Sequence, residues 1–245
     1  MTDSTQLRRA LVTGGSSGIG GAICRRLAGD GLHVIVHANA ALDKAQALAA
    51  DIGRNGGSAE AVSFDVTQRA ATATALEALL DAGPIQVLVN NAGIHDDAVF
   101  PDMRGEQWDR VVDVSLNGFF NVTQPLTMPM MRTRWGRIIS ISSVSAVAGN
   151  RGQVNYSAAK GALHAASKSL ALELASRGVT VNAVAPGLIA TDMIAGQFDP
   201  EAVKRLVPMQ RVGRPEEVAD LVAFLASEQA GYISGQVISI NGAMI

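Results

Sequence analysis

Seven short apolar runs recur along the chain, separated by longer Ala- and Leu-rich stretches, and this alternation limits the possible folds more than any other feature. The runs are ALVT (10–13), HVIV (33–36), AEAVSF (59–64), QVLVN (86–90), RIISIS (137–142), VTVNAVA (179–185) and QVISI (236–240). Their apolar residues are nearly continuous, the pattern of parallel strands covered on both faces. Helical stretches fall between them near 19–30, 41–55, 68–82, 107–131, 155–177 and 215–227. Regular β-α alternation predicts one α/β domain spanning 1–245, a doubly wound parallel sheet of about seven strands with helices on both faces and right-handed crossovers.

Composition closes off several classes. Of 245 residues 48% are hydrophobic and only 4% aromatic, so the core is aliphatic and large enough for one sheet. Lys and Arg number 20 against 22 Asp and Glu, leaving a net charge of −2 and no basic field for nucleic acid or a membrane surface. Cys24 is the sole cysteine, so no intrachain disulfide can form. No run of about 18 apolar residues exists, and the opening MTDSTQLRRALVTGG carries no apolar core of signal-peptide length. A cytoplasmic location is expected.

The stretch SAAKGALHAASKSLALELAS has Ala, Leu or Gly on nearly every face. A helix that is apolar all round is buried all round. The pattern fits a helix central to one subunit, and fits better one that also packs against a partner subunit. The segment 107–131, with Met128, Met130 and Met131 near its end, is a second contributor.

TGGSSGIGG (13–21) follows the first strand and opens a helix. Gly14, Gly18 and Gly20 allow a tight turn, close backbone approach and close helix packing, and the first helical N–H groups then face a diphosphate. The spacing is G-x-x-x-G-x-G, and its position between strand and helix predicts a nucleotide site formed with Ser16, Ser17 and Ile19. A site that prefers NAD places an acid at the end of the second strand to bind the ribose 2′-hydroxyl. Here HVIVHANAALDK offers His37, Ala38 and Asn39, with no carboxylate before Asp43. That favours NADP over NAD, although Ser17 stands where an arginine would complement a 2′-phosphate, leaving only hydroxyls, His37 and Asn39. Asp65 after the third strand, beside Val66, is placed to accept from an adenine amino group or to cap the next helix. Asn91, Ala92 and Gly93 of NNAG end the fourth strand, at the edge where ligands bind parallel sheets, and the asparagines could equally tie neighbouring strands.

YSAAK (156–160) sets Tyr156 and Lys160 on one helical face. A protonated Lys160 would stabilise the phenolate and bring the tyrosine toward neutral pH, making it a general acid for a developing alkoxide. Ser143, at the end of the fifth strand in SISSVS, can donate to the same carbonyl oxygen, with Ser142 as its rival.

TGGSSGIG, NNAG, ISSVS, YSAAK and APGLIATDM together resemble the short-chain dehydrogenase/reductase family, and within it the 3-oxoacyl-acyl-carrier-protein reductases. The resemblance covers essentially the whole chain, to YISGQVISINGAMI. It implies a Rossmann-type fold, a homotetramer built on the two long helices, and Ser143, Tyr156 and Lys160 as catalytic residues, with Lys160 also on the nicotinamide ribose. Pro186, Gly187, Ile189 and Thr191 correspond to the segment against the nicotinamide, and 186–207 to a substrate lid. The family's usual asparagine, which anchors a water leading from the lysine, aligns with Ser115 here, and Asn117 is turned away by about 200°. Arg134 and Arg177 align with positions that dock acyl carrier protein, although an arginine at a helix C-terminus also complements the dipole unaided. The resemblance implies reduction of a carrier-bound 3-oxoacyl thioester with NADPH. A reductase of another small alcohol or ketone, and a non-catalytic partner subunit, are the alternatives. No metal site is expected.

Overall fold

The computed structural model describes residues 7–191 and 199–245. The chain opens with β1 (Arg9–Val12), all four residues buried, then α1 (Gly18–Gly29), β2 (His33–Ala38), α2 (Leu42–Arg54), β3 (Ser58–Ser63), α3 (Arg69–Asp81) and β4 (Ile85–Asn90). α4 (Gly105–Val112), α5 (Gly118–Thr133), β5 (Gly136–Ile141), α6 (Ser145–Ala148) and α7 (Val154–Leu174) follow. β6 (Val179–Pro186), α8 (Pro200–Leu206), α9 (Pro215–Ala226) and β7 (Val237–Ile240) complete the strands and α-helices among the described residues.

The strands form one parallel sheet in the order β3-β2-β1-β4-β5-β6-β7, as their composition predicts. Alternate residues of each strand enter different cores. Ala10, Val12, Val87, Val89, Ile139 and Ile141 pack with α1, α2 and α9, whereas Leu11, Leu88 and Ile138 pack with α3, α5 and α7. Each large side chain so buried contributes roughly 1.5–3 kcal/mol relative to exposure. The strand order reverses between β1 and β4, and in such sheets the ligand crevice lies outside the carboxyl ends of the strands at that point.

The predicted helix over 107–131 is two helices. A π-turn over Asp113–Asn117 separates α4 from α5, and Pro125 and Pro129 lie inside α5, each removing an amide donor. α6 and α8 were not expected. The second carries its own signal, Asp199 accepting from the amide of Glu201 ahead of Pro200 at the first helical position.

The expectation that α7 is covered all round is not met within one chain. Lys160, Leu163, Ser167, Ala171 and Leu174 are buried, but Ala158, Ala165 and Leu172 recur every seven residues on an open face, Leu172 at 86% exposure. Phe120 and Met128 on α5 are likewise half exposed.

The opposite, amino-terminal edge of the sheet is locked by charge and aromatic stacking. The guanidinium groups of Arg8 and Arg137 lie 3.8 and 4.2 Å from the Trp135 ring centroid. Glu228 pairs with Arg8 at 2.6 Å and with Arg137 at 3.8 Å. Among the described residues no helix is long and apolar enough to cross a membrane, and no cluster of His, Cys, Asp or Glu could hold a metal ion.

Candidate active site

A cleft of about 520 Å³ opens at the carboxyl edge of the sheet, over β1, β4, β5 and β6. That size suits a bound organic molecule. One wall is the glycine loop: Gly14, Ser16, Ser17, Gly18, Ile19 and Gly20 all line it. Gly14 has φ +61°, a conformation that favours glycine. A Cβ on Gly20 would lie 2.6 Å from Nδ2 of Asn91, so the packing of α1 against the loop also requires glycine.

Asn91, Ala92 and Gly93 form the floor. Asn91 donates through Nδ2 to the carbonyls of Thr13 and Gly14, both at 3.0 Å, and the amides of Asn91 and Ala92 share Thr13 Oγ1, each at 3.0 Å. The NNAG asparagine therefore ties β4 to the loop. Pro186, Gly187, Ile189 and Thr191 close the far side, with the Thr191 side chain 3.6 Å from where a Gly18 Cβ would stand. The proposed lid over 186–207 thus begins against the loop; residues 192–198 of it lie outside the described residues.

Ser143, Tyr156 and Lys160 meet in the same cleft. Ser143 accepts from the amide of Ser145 at 3.1 Å, and its hydroxyl bonds to that of Tyr156. Ser142, the rival, is buried and occupied: its Oγ donates to the carbonyl of Lys160 at 3.1 Å and meets His164 Nε2 at 2.7 Å. Lys160 is only 3% exposed and donates from Nζ to the carbonyl of Ile141 at 2.8 Å. Burial pulls its pKa down to about 8.

One expectation needs correcting. Lys160 does not make Tyr156 more acidic in the protein alone. Burial raises the pKa of the phenol, the bond from Ser143 offsets part of that rise, and the charge of Asp97 adds to it. The Lys160 ammonium lies 5.9 Å from the Tyr156 ring centroid, held by a strand carbonyl. Helical spacing put the two residues on one face correctly, but β5 claims the ammonium.

Four residues predicted to act in catalysis or cofactor binding lie outside the cleft lining, and the suggestion of His37 for a 2′-phosphate fails. Asn39 is exposed at the end of β2. Asp65 accepts from the amide and hydroxyl of Thr67 at 2.9 and 2.8 Å, so it holds the 65–67 turn, and Gln68 occupies the cap position of α3. Val66 and Ser115 line instead a separate cavity of about 10 Å³, room for one water at most. Ser115 sits in the π-turn, 3% exposed, with no partner for its hydroxyl. His37 does not face a 2′-phosphate: its ring is buried under the glycine loop, with both nitrogens bonded.

Arg134 and Arg177 are brought together, Arg134 donating to the carbonyl of Ser176 at 3.3 Å. They are not at the cleft. Each precedes the first residue of a strand, β5 or β6, by two positions, so both lie at the amino-terminal edge, roughly 20 Å from the carboxyl ends at about 3.3 Å per residue.

Sequence reasoning missed a polar wall beside Tyr156. Gln153 donates to Asp97 at 2.8 Å, Asn150 and Ser145 donate to Gln153 at 2.9 and 3.0 Å, and His95 lies 3.4 Å from Asp97. Nothing in the spacing of these residues marks them. Only the loop from β4 and the turn before α7 bring them together.

A doubly wound sheet whose switch-point crevice holds a glycine loop and a Ser-Tyr-Lys set defines a nicotinamide-dependent oxidoreductase. The chain belongs to the short chain dehydrogenase family, whose model matches residues 8–202. It is 46% identical over 236 residues to the 3-oxoacyl-acyl-carrier-protein reductase FabG of Aggregatibacter actinomycetemcomitans, covering 96% of this chain and 98% of that one. It is also 46% identical over 247 residues to nodulation protein G of Azospirillum brasilense, covering 96% and 97%. Against the FabG reductase of Escherichia coli strain K12 the identity is 44% over 238 residues, covering 96% of each.

Proposed function

We propose that this protein is an NADPH-dependent, cytoplasmic reductase that converts a 3-oxoacyl thioester on acyl carrier protein to the 3-hydroxyacyl thioester in fatty acid or polyketide-like biosynthesis. The observation that carries the reading is the meeting of Ser143, Tyr156 and Lys160 opposite the glycine loop in one cleft. The names of the similar reductases supply the substrate class.

A dinucleotide held in this cleft would supply the hydride for the ketone carbon. Ser143, whose oxygen accepts from the Ser145 amide, donates its hydrogen to the carbonyl oxygen when the substrate takes the place of its bond to Tyr156. Tyr156 then delivers the proton to that oxygen as charge builds there. Lys160, charged at neutral pH, stabilises the phenolate left behind once it turns from the Ile141 carbonyl toward the reacting groups. Backbone amides at the start of α1 suit the diphosphate, and the small residues Gly14, Gly18, Gly20 and Gly93 leave the space it needs. NADP is preferred because no acid follows β2 in contact with the site. Ser115 can hold one water in its small cavity, in the role of the usual asparagine. Ser115→Asn is expected to preserve or raise kcat; a collapse of kcat would mean that the chain maintains a different water arrangement.

The bare stripes of α5 and α7 suit a homotetramer. In such an assembly Arg134 and Arg177, remote from their own cleft, would dock a carrier that serves a neighbouring copy. Arg134→Ala with Arg177→Ala is expected to lower kcat/KM for carrier-bound substrate by more than tenfold, at about 1.4 kcal/mol per decade, and to leave a small acetoacetyl thioester little affected. Equal losses on both substrates would remove the docking role.

The polar wall of Asp97, Gln153 and Asn150 favours a second reading, a reductase of a small hydroxylated ketone. Following NADPH oxidation with an acetoacetyl thioester and with a panel of simple ketones separates the two. Turnover confined to the panel would reject the thioester assignment.

A further inference from the structure

His37 is a buried titratable group that the chemistry above does not use, and it grips the glycine loop twice. Its carbonyl accepts from the amide of Gly15 at 2.7 Å. Its ring nitrogen Nδ1 accepts from the amide of Gly14 at 3.1 Å. The other nitrogen, Nε2, lies 2.8 Å from the carbonyl of Phe64, and the Phe64 ring packs at 4.2 Å between centroids. A carbonyl can only accept, so Nε2 carries the hydrogen and Nδ1 must be bare: one tautomer of the neutral ring satisfies both contacts. On the other side of the loop Asn91 holds the Gly14 carbonyl. The peptide groups of Gly14 are therefore clamped from β2 and β4 together.

Resting on the reading of this cleft as a dinucleotide site, we propose that His37 is a positioning residue for the cofactor, whose neutral ring holds the glycine loop in the binding conformation so that dinucleotide affinity falls when the ring gains a proton. A proton on Nδ1 would face the Gly14 amide donor to donor, and that bond must break. The ring has little alternative, because it is 1% exposed and Phe64 fixes its other end. Burial, the largest influence, holds the ring's pKa below the ordinary value of 6.5, with the Phe64 carbonyl and Asp65 pulling the other way. Asp65 is the charged side chain acting on it from the β3 side, and the glycine loop brings none. The sign follows: the clamp is intact above pH 6.5 and is lost as pH falls through the depressed value.

The test is the affinity for NADPH, read by its fluorescence from pH 8 to pH 5, for the wild type and for His37→Asn. Asparagine keeps an acceptor near the Nδ1 position and cannot titrate. With each curve normalised to its own value at pH 8, the wild type should weaken at least about threefold more than the variant by pH 5, one proton allowing up to tenfold per pH unit below the pKa. Superimposed curves overturn the proposal. A second measurement needs no variant. In nitrogen-15 NMR of the wild type, His37 should be the Nε2–H tautomer at pH 7, and saturating NADPH should lower its pKa further, since coupling is reciprocal. An unchanged pKa in the complex overturns the proposal, whereas failure of NADPH to bind at any pH overturns the cofactor reading beneath it.

Discussion

Replacing Tyr156 by phenylalanine is expected to lower kcat by roughly 10²–10⁴-fold, the range for loss of a positioned acid, with NADPH affinity little changed. The fold-loss should be similar in kcat and kcat/KM, because the hydroxyl acts as charge develops and not in the ground state. The ring remains to fill its place on α7, so folding should be untouched. Single-turnover absorbance at saturating NADPH checks this, and a loss of less than about tenfold, or 1.4 kcal/mol, would remove Tyr156 as the acid. The structure sharpens the prediction. Burial keeps the phenol protonated at neutral pH, so the donor is ready without any shift toward neutrality.

Lys160→Met is expected to stabilise the protein and disable it. The ordinary lysine pKa of 10.5 falls to about 8 in the folded chain. At 1.36 kcal/mol per unit, the buried charge costs on the order of 3 kcal/mol of stability at neutral pH. The linkage has a definite sign: the unfolded chain holds the proton more tightly, so this contribution improves as pH rises from about 8 to 10.5 and is at its worst below 8. Methionine removes the cost but leaves the Ile141 carbonyl without its ammonium, an offset of about 1–3 kcal/mol. The net expectation is a Tm higher by about 2–6 °C at pH 7, an advantage that shrinks by pH 10. Activity should fall at least about a hundredfold. Calorimetry at the two pH values, beside the NADPH assay, checks both halves. A variant less stable than wild type at pH 7, with no change in the gap at pH 10, would mean that Lys160 is not a buried charge. In the wild type, kcat should decline above about pH 8 as the ammonium is lost.

Much of this site could be read in advance. Strand ends set by runs such as HVIV and QVLVN fall within two residues of the observed ones, because parallel strands buried on both faces leave a dense apolar signature. The glycine loop, NNAG and YSAAK were legible because each is a local device whose geometry follows from spacing alone. What could not be read is what depends on which neighbour a side chain finds. His37 looked available to a ligand, yet strand parity sends its ring beneath the loop. Lys160 has the right spacing to Tyr156, but a β5 carbonyl three-dimensionally close holds its amine. The break at Asp113–Asn117 is marked only weakly: DVSLNG gathers Asp, Ser, Asn and Gly, all of low helix propensity, inside a segment that is helical on both sides. The remoteness of Arg134 and Arg177 had a clue, since each stands just ahead of a strand, where a parallel sheet presents its amino-terminal edge.

The lock of Arg8, Trp135, Arg137 and Glu228 sits at one end of the sheet and the reacting groups at the other. Durability and chemistry are thereby assigned to opposite poles of the same strands. Loops such as 94–97 and 149–153 can be redrafted over generations to admit a new ketone without loosening the stacked arginines. The reverse also holds: a lineage could harden its arginine pole for a hotter habitat and keep its substrate unchanged.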